Sequence, residues 1–417
     1  MAVERQSAAL PPAVPSCILR GHSSQVHCVH FTHQNLYLFT GDASGRVVLW
    51  KLATKRPAYV WRAHSGPILG IAQWGHERII TMQQSRPTEA PATSTDSILV
   101  AVPATDEKSV VIWQFPDELA KVVVTRVKSV ETGMVMAVKL ARHGRSQKML
   151  LFVGYEAGIT AAFELPGDCT GTGTGTGTGV ESAQLIYLSQ PHTQPILSLD
   201  ASPDGDFYFT SSADAIVAMH RIPELGPALN EGATSSQSHK TEDESLLSEK
   251  NTIGTTPSTT SPPESGQTES ESQLADSETS LEFAKSAIKG TNSQTHKPGG
   301  LSSLLSSSSA SLPRARPAPP VQSAIALQPP YKTTNTKHAG QQSLRVRSDG
   351  RLLVTGGWDA RVRIYSSKTL KEVAVLKWHK EGVYAVAFGE LLSADAPARH
   401  WVAAGAKDGK VSLWEVF

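Results

Sequence analysis

GGWDARVRIYSSKTLKEVAVLKWHKEGVYAVAF, residues 356–388, decides the fold of this chain. A tight turn at 356–360 opens it. Residues 361–365 then alternate Arg, Val, Arg, Ile, Tyr, the period of a strand with two unlike faces. A second turn at 366–370 leads to a strand at 372–377, then Trp378-His379, then a strand at 383–388. Runs of about six residues between short turns predict an antiparallel all-β meander. The same order of turn acid, strand, turn, strand, histidine and strand recurs along the chain, and such self-similarity sets the whole architecture.

Working outward, the unit on the N-terminal side holds His338, strands at 344–347 and 352–355, Asp359 and a strand ending in Tyr365. The unit on the C-terminal side holds His379, strands at 383–388 and 401–404, Asp408 and a strand ending in Trp414. Further upstream, residues 185–222 carry His192, Asp214 and His220 in the same order, and residues 121–165 give four strands without the histidine. The first unit runs from a lone strand at 17–20 through Gly21-His22 to a strand ending in Trp50. The second starts with Ala63-His64 and strands at 68–74 and 78–82, then fails. QQSRPTEAPATSTDS (83–97) is polar and strandless by composition, and strands resume at 98–102 and 109–115, the latter with Trp113.

His22 with Trp50, His192 with His220 and His338 with Tyr365 keep a nearly constant separation. The units resemble the WD40 repeat, which implies a β-propeller, seven-bladed in the family, with six units readable here. The resemblance implies a hydrogen-bonded set in each blade made by the Gly-His imidazole, the turn Asp, a strand Ser or Thr and the strand Trp. It marks His22, Trp50, His64, Trp113, His192, Asp214, His338, Asp359, His379, Asp408 and Trp414 as structural positions, with His379, Asp408 and Trp414 the clearest set. Ser44 and Ala157 stand where Asp is expected, and His220 and Tyr365 replace Trp. Those blades are expected to lack part of the set, at about 0.5–1.5 kcal/mol for each missing bond. The strand at 17–20 is expected to complete the last unit and close the ring, leaving no long free edge.

The chain of 417 residues has a net charge of +1, 39% hydrophobic residues and three scattered cysteines. This balance gives no global basic field for steering onto nucleic acid. It also predicts no disulfide framework, metal site or cofactor, and a reducing, intracellular setting. No run approaches the length of a membrane-spanning helix. Four divisions follow: a disordered start (1–16), a first propeller part (17–225), a disordered Ser/Thr/Pro-rich insertion (226–336) and the last two units (337–417). The Thr-Gly alternation within 167–180 reads as a flexible loop and not a phosphate cradle, since no helix pattern follows it. Thr256-Pro257 and Ser261-Pro262 are candidate phosphorylation sites in the insertion.

Recurring His, Ser/Thr and Asp imitate a hydrolase triad, but a triad needs one exposed nucleophile beside its base, whereas a set repeated in every unit serves structure. His27, His30 and His33 alternate as metal ligands on one strand face would, without a Cys/Asp partner set. Lys377, Trp378 and Lys380, with Lys368 and Lys371, give one blade a basic, aromatic rim. That rim is either a solvated outer face or a partner contact. Trp358-Asp359-x-Arg361 imitates the WDxR box of cullin-ligase substrate receptors but precedes its strand instead of ending it. After the strand-end aromatics the chain reads Lys51, Gln114, Ser366 and Glu415.

TKHAGQQSLRVRSDGR (336–351), the opening stretch and WVAAGAKDGKVSLWEVF (401–417) resemble the fungal ASTRA-associated WD-repeat proteins, as do LRGHSSQVHCVHF and QPILSLDASPD nearer the N-terminus. The resemblance implies a non-catalytic scaffold of the ASTRA assembly in the nucleus. Its implied partners are a PI3-kinase-like cofactor, Tel2/Tti-type factors and AAA+ helicases, with ties to chromatin remodelling. A Gβ-like signalling scaffold and a ubiquitin-ligase receptor are the competing expectations. No coiled-coil pattern precedes the first strand, which weighs against the former. The family pattern runs on through a His-Gly-x-Asp turn and a Trp strand where this chain has residues 83–97. Roughly a blade's worth, about 40 residues, is missing, as from a misplaced splice junction or a truncated isoform.

Overall fold

The computed structural model describes residues 13–75, 77–83, 88–89, 97–166, 183–225, 325–391 and 400–416. The described secondary structure is all strand, in antiparallel sheets that form the blades of a WD40 β-propeller. β1 (Cys17–Arg20) belongs to the last blade. The first blade is β2 (Val26–Thr32), β3 (Tyr37–Asp42), β4 (Arg46–Lys51) and β5 (Arg56–Arg62), ordered from the central channel outward. The second has two strands, β6 (Gly70–Trp74) and β7 (Arg78–Met82). The third is β8 (Thr88–Glu89), β9 (Ile98–Pro103), β10 (Val110–Phe115) and β11 (Leu119–Val124).

The fourth blade is β12 (Val135–Arg142), β13 (Met149–Tyr155), β14 (Thr160–Glu164) and β15 (Gln184–Ser189). The fifth is β16 (Ile196–Ala201), β17 (Phe207–Ser212), β18 (Ile216–Arg221) and β19 (Lys332–Asn335). The sixth is β20 (Gln341–Val346), β21 (Leu352–Gly357), β22 (Arg361–Ser366) and β23 (Glu372–Lys377). The seventh is β24 (Val383–Phe388), β25 (Trp401–Ala406) and β26 (Lys410–Glu415), with β1 outermost. Cys17 pairs with Leu413 and Arg20 with Lys410, so the first strand and the last lock the ring.

Two findings amend the sequence reading. The strands flanking residues 83–97 do not share one unit; they split into a half-blade and a third blade whose inner strand is two residues long. β19 lies inside the tract assigned above to a disordered insertion, and supplies the outer strand of the fifth blade through pairs such as Ile216 with Asn335. The remainder of that insertion up to residue 324, the Thr-Gly alternation and the Thr-Pro and Ser-Pro dipeptides lie outside the described residues.

A complete blade packed between two others has middle strands that are apolar on both faces. β13, MLLFVGY, is buried at every position. Separate apolar cores fill the interfaces, such as Phe39 and Val47 against Ile68 and Ile71 between the first blade and the half-blade. Two glycines show how close the blades approach. A Cβ on Gly41 would come within 2.6 Å of Ile68, and one on Gly405 within 2.5 Å of Val26. Among the described residues, no such core joins β6 and β7 to the third blade. A cleft of about 650 Å³ opens there between Trp74, Ile98 and Arg142.

Inner-strand polar groups stitch neighbouring blades around the channel. Lys139 on β12 pairs with Asp200 on β16 at 2.9 Å, and Asp200 accepts the Val346 N–H of β20 at 2.9 Å. Leu344 N–H donates to Ser198 Oγ (3.1 Å) and Val386 N–H to Ser343 Oγ (3.2 Å), so three successive inner strands are cross-bonded.

Candidate functional site

The recurring histidines are where the sequence concentrates its chemistry. In the first blade the turn that follows Gly21 places His22 over β3 and β4. Its Nδ1 lies 2.7 Å from Asp42 and its Nε2 2.6 Å from Thr40 Oγ1, and Trp50 Nε1 donates to the same hydroxyl at 2.8 Å. An indole N–H only donates. The Thr40 hydroxyl therefore accepts from Trp50; Asp42 can only accept, so the hydrogen of the neutral His22 ring lies on Nδ1, and Nε2 accepts from Thr40. Both the His22 and Asp42 side chains are fully enclosed. Burial pulls the imidazole pKa down against the opposing pull of Asp42. Burial alone would raise the Asp42 carboxyl, but hydrogen bonds from Ser44 and His22 together hold it below its ordinary value.

The acid of this blade is thus Asp42, at the end of β3. Ser44, two residues later at the expected acid position, caps Asp42 through its N–H (2.9 Å) and hydroxyl (2.6 Å).

The fifth blade repeats the set with a different final member. His192 Nδ1 sits 3.2 Å from both Asp214 oxygens and Nε2 2.8 Å from Thr210. His220 stands in the Trp place, its Nε2 3.1 Å from the Thr210 hydroxyl and its Nδ1 3.1 Å from the Tyr187 hydroxyl. The expected gap in this blade is therefore filled. Burial, then the field of His192, drives the His220 pKa well below its ordinary value and favours the neutral ring.

The seventh blade falls short of its expectation. Trp414 Nε1 donates to Ser412 Oγ (2.8 Å), and Ser412 lies 2.7 Å from His379 Nε2. Asp408 turns instead to the Lys410 ammonium at 2.6 Å, and His379 Nδ1 is buried without a partner. Burial outweighs the attraction of Asp408 and lowers His379 to about 4.

The sixth blade departs furthest. His338 is 53% exposed, with Nδ1 3.8 Å from Asp359. Gln341 takes the buried place, its carbonyl accepting from Thr355 at 2.9 Å. Asp359 is forked onto Arg363 at 3.0 and 2.5 Å. Tyr365 is 2% exposed, and among the described residues its hydroxyl meets no partner in hydrogen-bond geometry. In the half-blade His64 Nε2 reaches Thr81 Oγ1 at 2.9 Å. Trp113 is half-buried on β10, and no histidine of these sets stands beside it among the described residues.

The hydroxyls in these sets are buried: Thr40, Thr210 and Ser412 are 0% exposed. A nucleophile needs access to its substrate, so the sets act as cross-braces between strands. His27 stacks on Tyr384 with ring centroids 5.7 Å apart. His30 lines the channel, where burial first, then Arg345 and Lys139, lowers it to about 4. His33 Nδ1 lies 2.9 Å from the Thr32 hydroxyl. Among the described residues no group of three or more metal-ligating side chains converges. On the rim, Lys377 and Lys380 are exposed, and Trp378 is half-buried against the core between the sixth and seventh blades and edge-on to His379. Trp358 is 47% exposed and donates to Gln342 at 2.8 Å.

The model of the WD domain, G-beta repeat, matches residues 13–51, 183–220, 331–366 and 370–415. These spans hold the cores of the first, fifth, sixth and seventh blades and leave the second, the third and all but the outer strand of the fourth unmatched. ASTRA-associated protein 1 of Verticillium alfalfae is 32% identical over 486 positions, covering 97% of this chain and 93% of the relative. The protein of that name in Pyricularia oryzae is 33% identical over 504 positions, covering 97% and 98%. The chain belongs to the ASTRA-associated protein 1 family. The family extends to Schizosaccharomyces pombe, whose member is 24% identical over 471 positions, covering 97% of this chain and 99% of the relative. In the first of these alignments 97% of this 417-residue chain is spread over 486 positions, so the Verticillium member carries internal residues that this chain lacks.

Proposed function

We propose that this protein is a non-catalytic scaffold subunit of the ASTRA assembly in the nucleus, serving chromatin remodelling and the assembly of PI3-kinase-like proteins. The observation that carries the reading is the burial of every strand hydroxyl bonded to a blade histidine in the first, fifth and seventh blades. That chemistry is spent on rigidity, and a rigid ring offers its rims and loops as contact surface, where a few anchors supply most of the affinity. Family membership supports the choice of assembly. The implied partners are a PI3-kinase-like cofactor, Tel2/Tti-type factors and AAA+ helicases. Affinity purification of the tagged full-length chain, read by mass spectrometry, tests it. Co-recovery of those three classes supports the proposal; recovery of a Gγ-like helix or a cullin in their place overturns it. Nuclear fractionation checks the location.

A further inference from the structure

The sixth blade breaks the repeat in three places at once: Gln341 for histidine, Arg363 on the strand where Ser412 or Val48 stands in other blades, and Tyr365 for tryptophan. Departures from an otherwise consistent pattern concentrate where a surface has a second task. Two of the three, Arg363 and Tyr365, border one groove of about 580 Å³ between β19 of the fifth blade and the outer face of the sixth. Arg361, Arg363 and Tyr365 share one face of β22, and Val375 and Lys377 face the groove beside them from β23. Lys337 and His338 form the opposite wall.

The charges of this groove do not balance. Its two carboxylates, Asp359 and Glu372, both lie on Arg363, at 2.5 Å and 3.6 Å. Arg361, Lys377 and Lys337 are in no ion pair among the described residues. Arg361 and Lys377 are direct cross-strand neighbours. Like charges directly opposite destabilise a sheet unless something neutralises them. Lys337 reaches its position through a left-handed backbone, φ 63°, which is uncommon for a residue with a side chain. Beneath the groove the Tyr365 hydroxyl is enclosed, with no partner in hydrogen-bond geometry among the described residues. A buried polar group without a partner calls for an explanation. Three cations without an ion-pair partner among the described residues thus line a cavity of ligand size.

We propose that this groove is a docking site for an extended, Asp/Glu-rich segment of a protein partner, with its carboxylates held between Arg361 and Lys377 on one wall and Lys337 on the other. The proposal relies on the scaffold reading only in choosing a protein over a nucleic acid as occupant. Whether the groove binds acidic peptide is decided independently of which assembly the chain joins.

The test is fluorescence anisotropy of the full-length protein with a short labelled Asp/Glu peptide, its Asn/Gln counterpart and an oligouridylate of equal length. The expected result is saturable binding of the acidic peptide alone, weakened at least about tenfold by Arg361→Glu with Lys377→Glu, because introduced like charges repel the ligand. The control is Lys368→Glu with Lys371→Glu, the same charge change on the same blade at its exposed turn, which leaves binding within about twofold. Circular dichroism of both variants confirms folding. Equal weakening by the two variants, no saturable peptide binding, or tighter binding of the oligouridylate overturns the proposal.

Discussion

Replacing Asp42 by alanine should damage this protein far more than replacing Asp408, although only Asp408 occupies the position at which the repeat expects its acid. Asp42 accepts four hydrogen bonds: His22 Nδ1 at 2.7 Å, the Ser44 N–H and hydroxyl at 2.9 and 2.6 Å, and the Arg46 N–H at 3.1 Å. Its removal strands the His22 Nδ1–H in a site with no solvent exposure, at about 1–3 kcal/mol. It also strips the β3–β4 turn of bonds to a charged acceptor, about 1.5–3 kcal/mol for the strongest of them. The expected loss is about 3–5 kcal/mol.

Among the described residues Asp408 accepts only from Lys410, through its N–H at 3.1 Å and its ammonium at 2.6 Å, and the latter is 36% exposed. A partly exposed pair contributes about 0–1 kcal/mol, so Asp408→Ala should cost about 1 kcal/mol. The assay is urea unfolding of both variants beside the parent, followed by tryptophan fluorescence and circular dichroism, with midpoints converted at constant m. Equal midpoints for the two variants, or the larger loss at Asp408, would refute the assignment of Asp42 as the working acid of the first blade.

Three further outcomes are expected. His379 has a folded pKa of about 4 against an ordinary 6.5. Its contribution is therefore complete above pH 6.5 and is lost as pH falls towards 4, about 2 kcal/mol being gone by pH 5. His379→Gln, which copies Gln341 of the sixth blade, should flatten that acid limb when unfolding midpoints are measured from pH 7.5 to 4.5. Gly405→Ala places a methyl 2.5 Å from Val26 across the ring closure and should cost about 1–3 kcal/mol by overpacking; a melting temperature equal to the parent's would show that the blades can part there. Tyr365→Phe deletes a buried hydroxyl that meets no partner in hydrogen-bond geometry among the described residues, so differential scanning calorimetry should show an unchanged or higher melting temperature, and a marked fall would reveal a bond to that oxygen.

The propeller was legible because periodic strands, Gly-His pairs and turn acids recur in order, and each blade must bury both faces against its neighbours. His22, His192 and Trp414 could be placed in advance for that reason. Asp42 could not, since a carboxylate two residues earlier reaches the same imidazole once Ser44 folds back to cap it. Gln341 was hidden because an amide carbonyl accepts from Thr355 as an imidazole nitrogen would, and His338 nearby fitted the pattern better by type. One signal was available: His338 stands one residue nearer its aromatic than His22 and His192 do to theirs. The pairing of Asp408 with Lys410 depends on a flexible lysine side chain, which no spacing rule encodes. The Lys139–Asp200 pair joins residues on different blades and becomes visible only when the ring is closed.

The central claim is that the repeated histidines hold the ring together and that the ring presents partners with a rigid surface. Its most direct test pairs two readouts on His22→Ala, His64→Ala and His192→Ala: the unfolding midpoint, and the recovery of co-purifying proteins at a temperature where all three variants remain folded. The account predicts a lower midpoint for every variant with undiminished recovery of partners. A variant that keeps its midpoint yet loses its partners would contradict it, because that histidine would then be acting at a functional site and not as a brace.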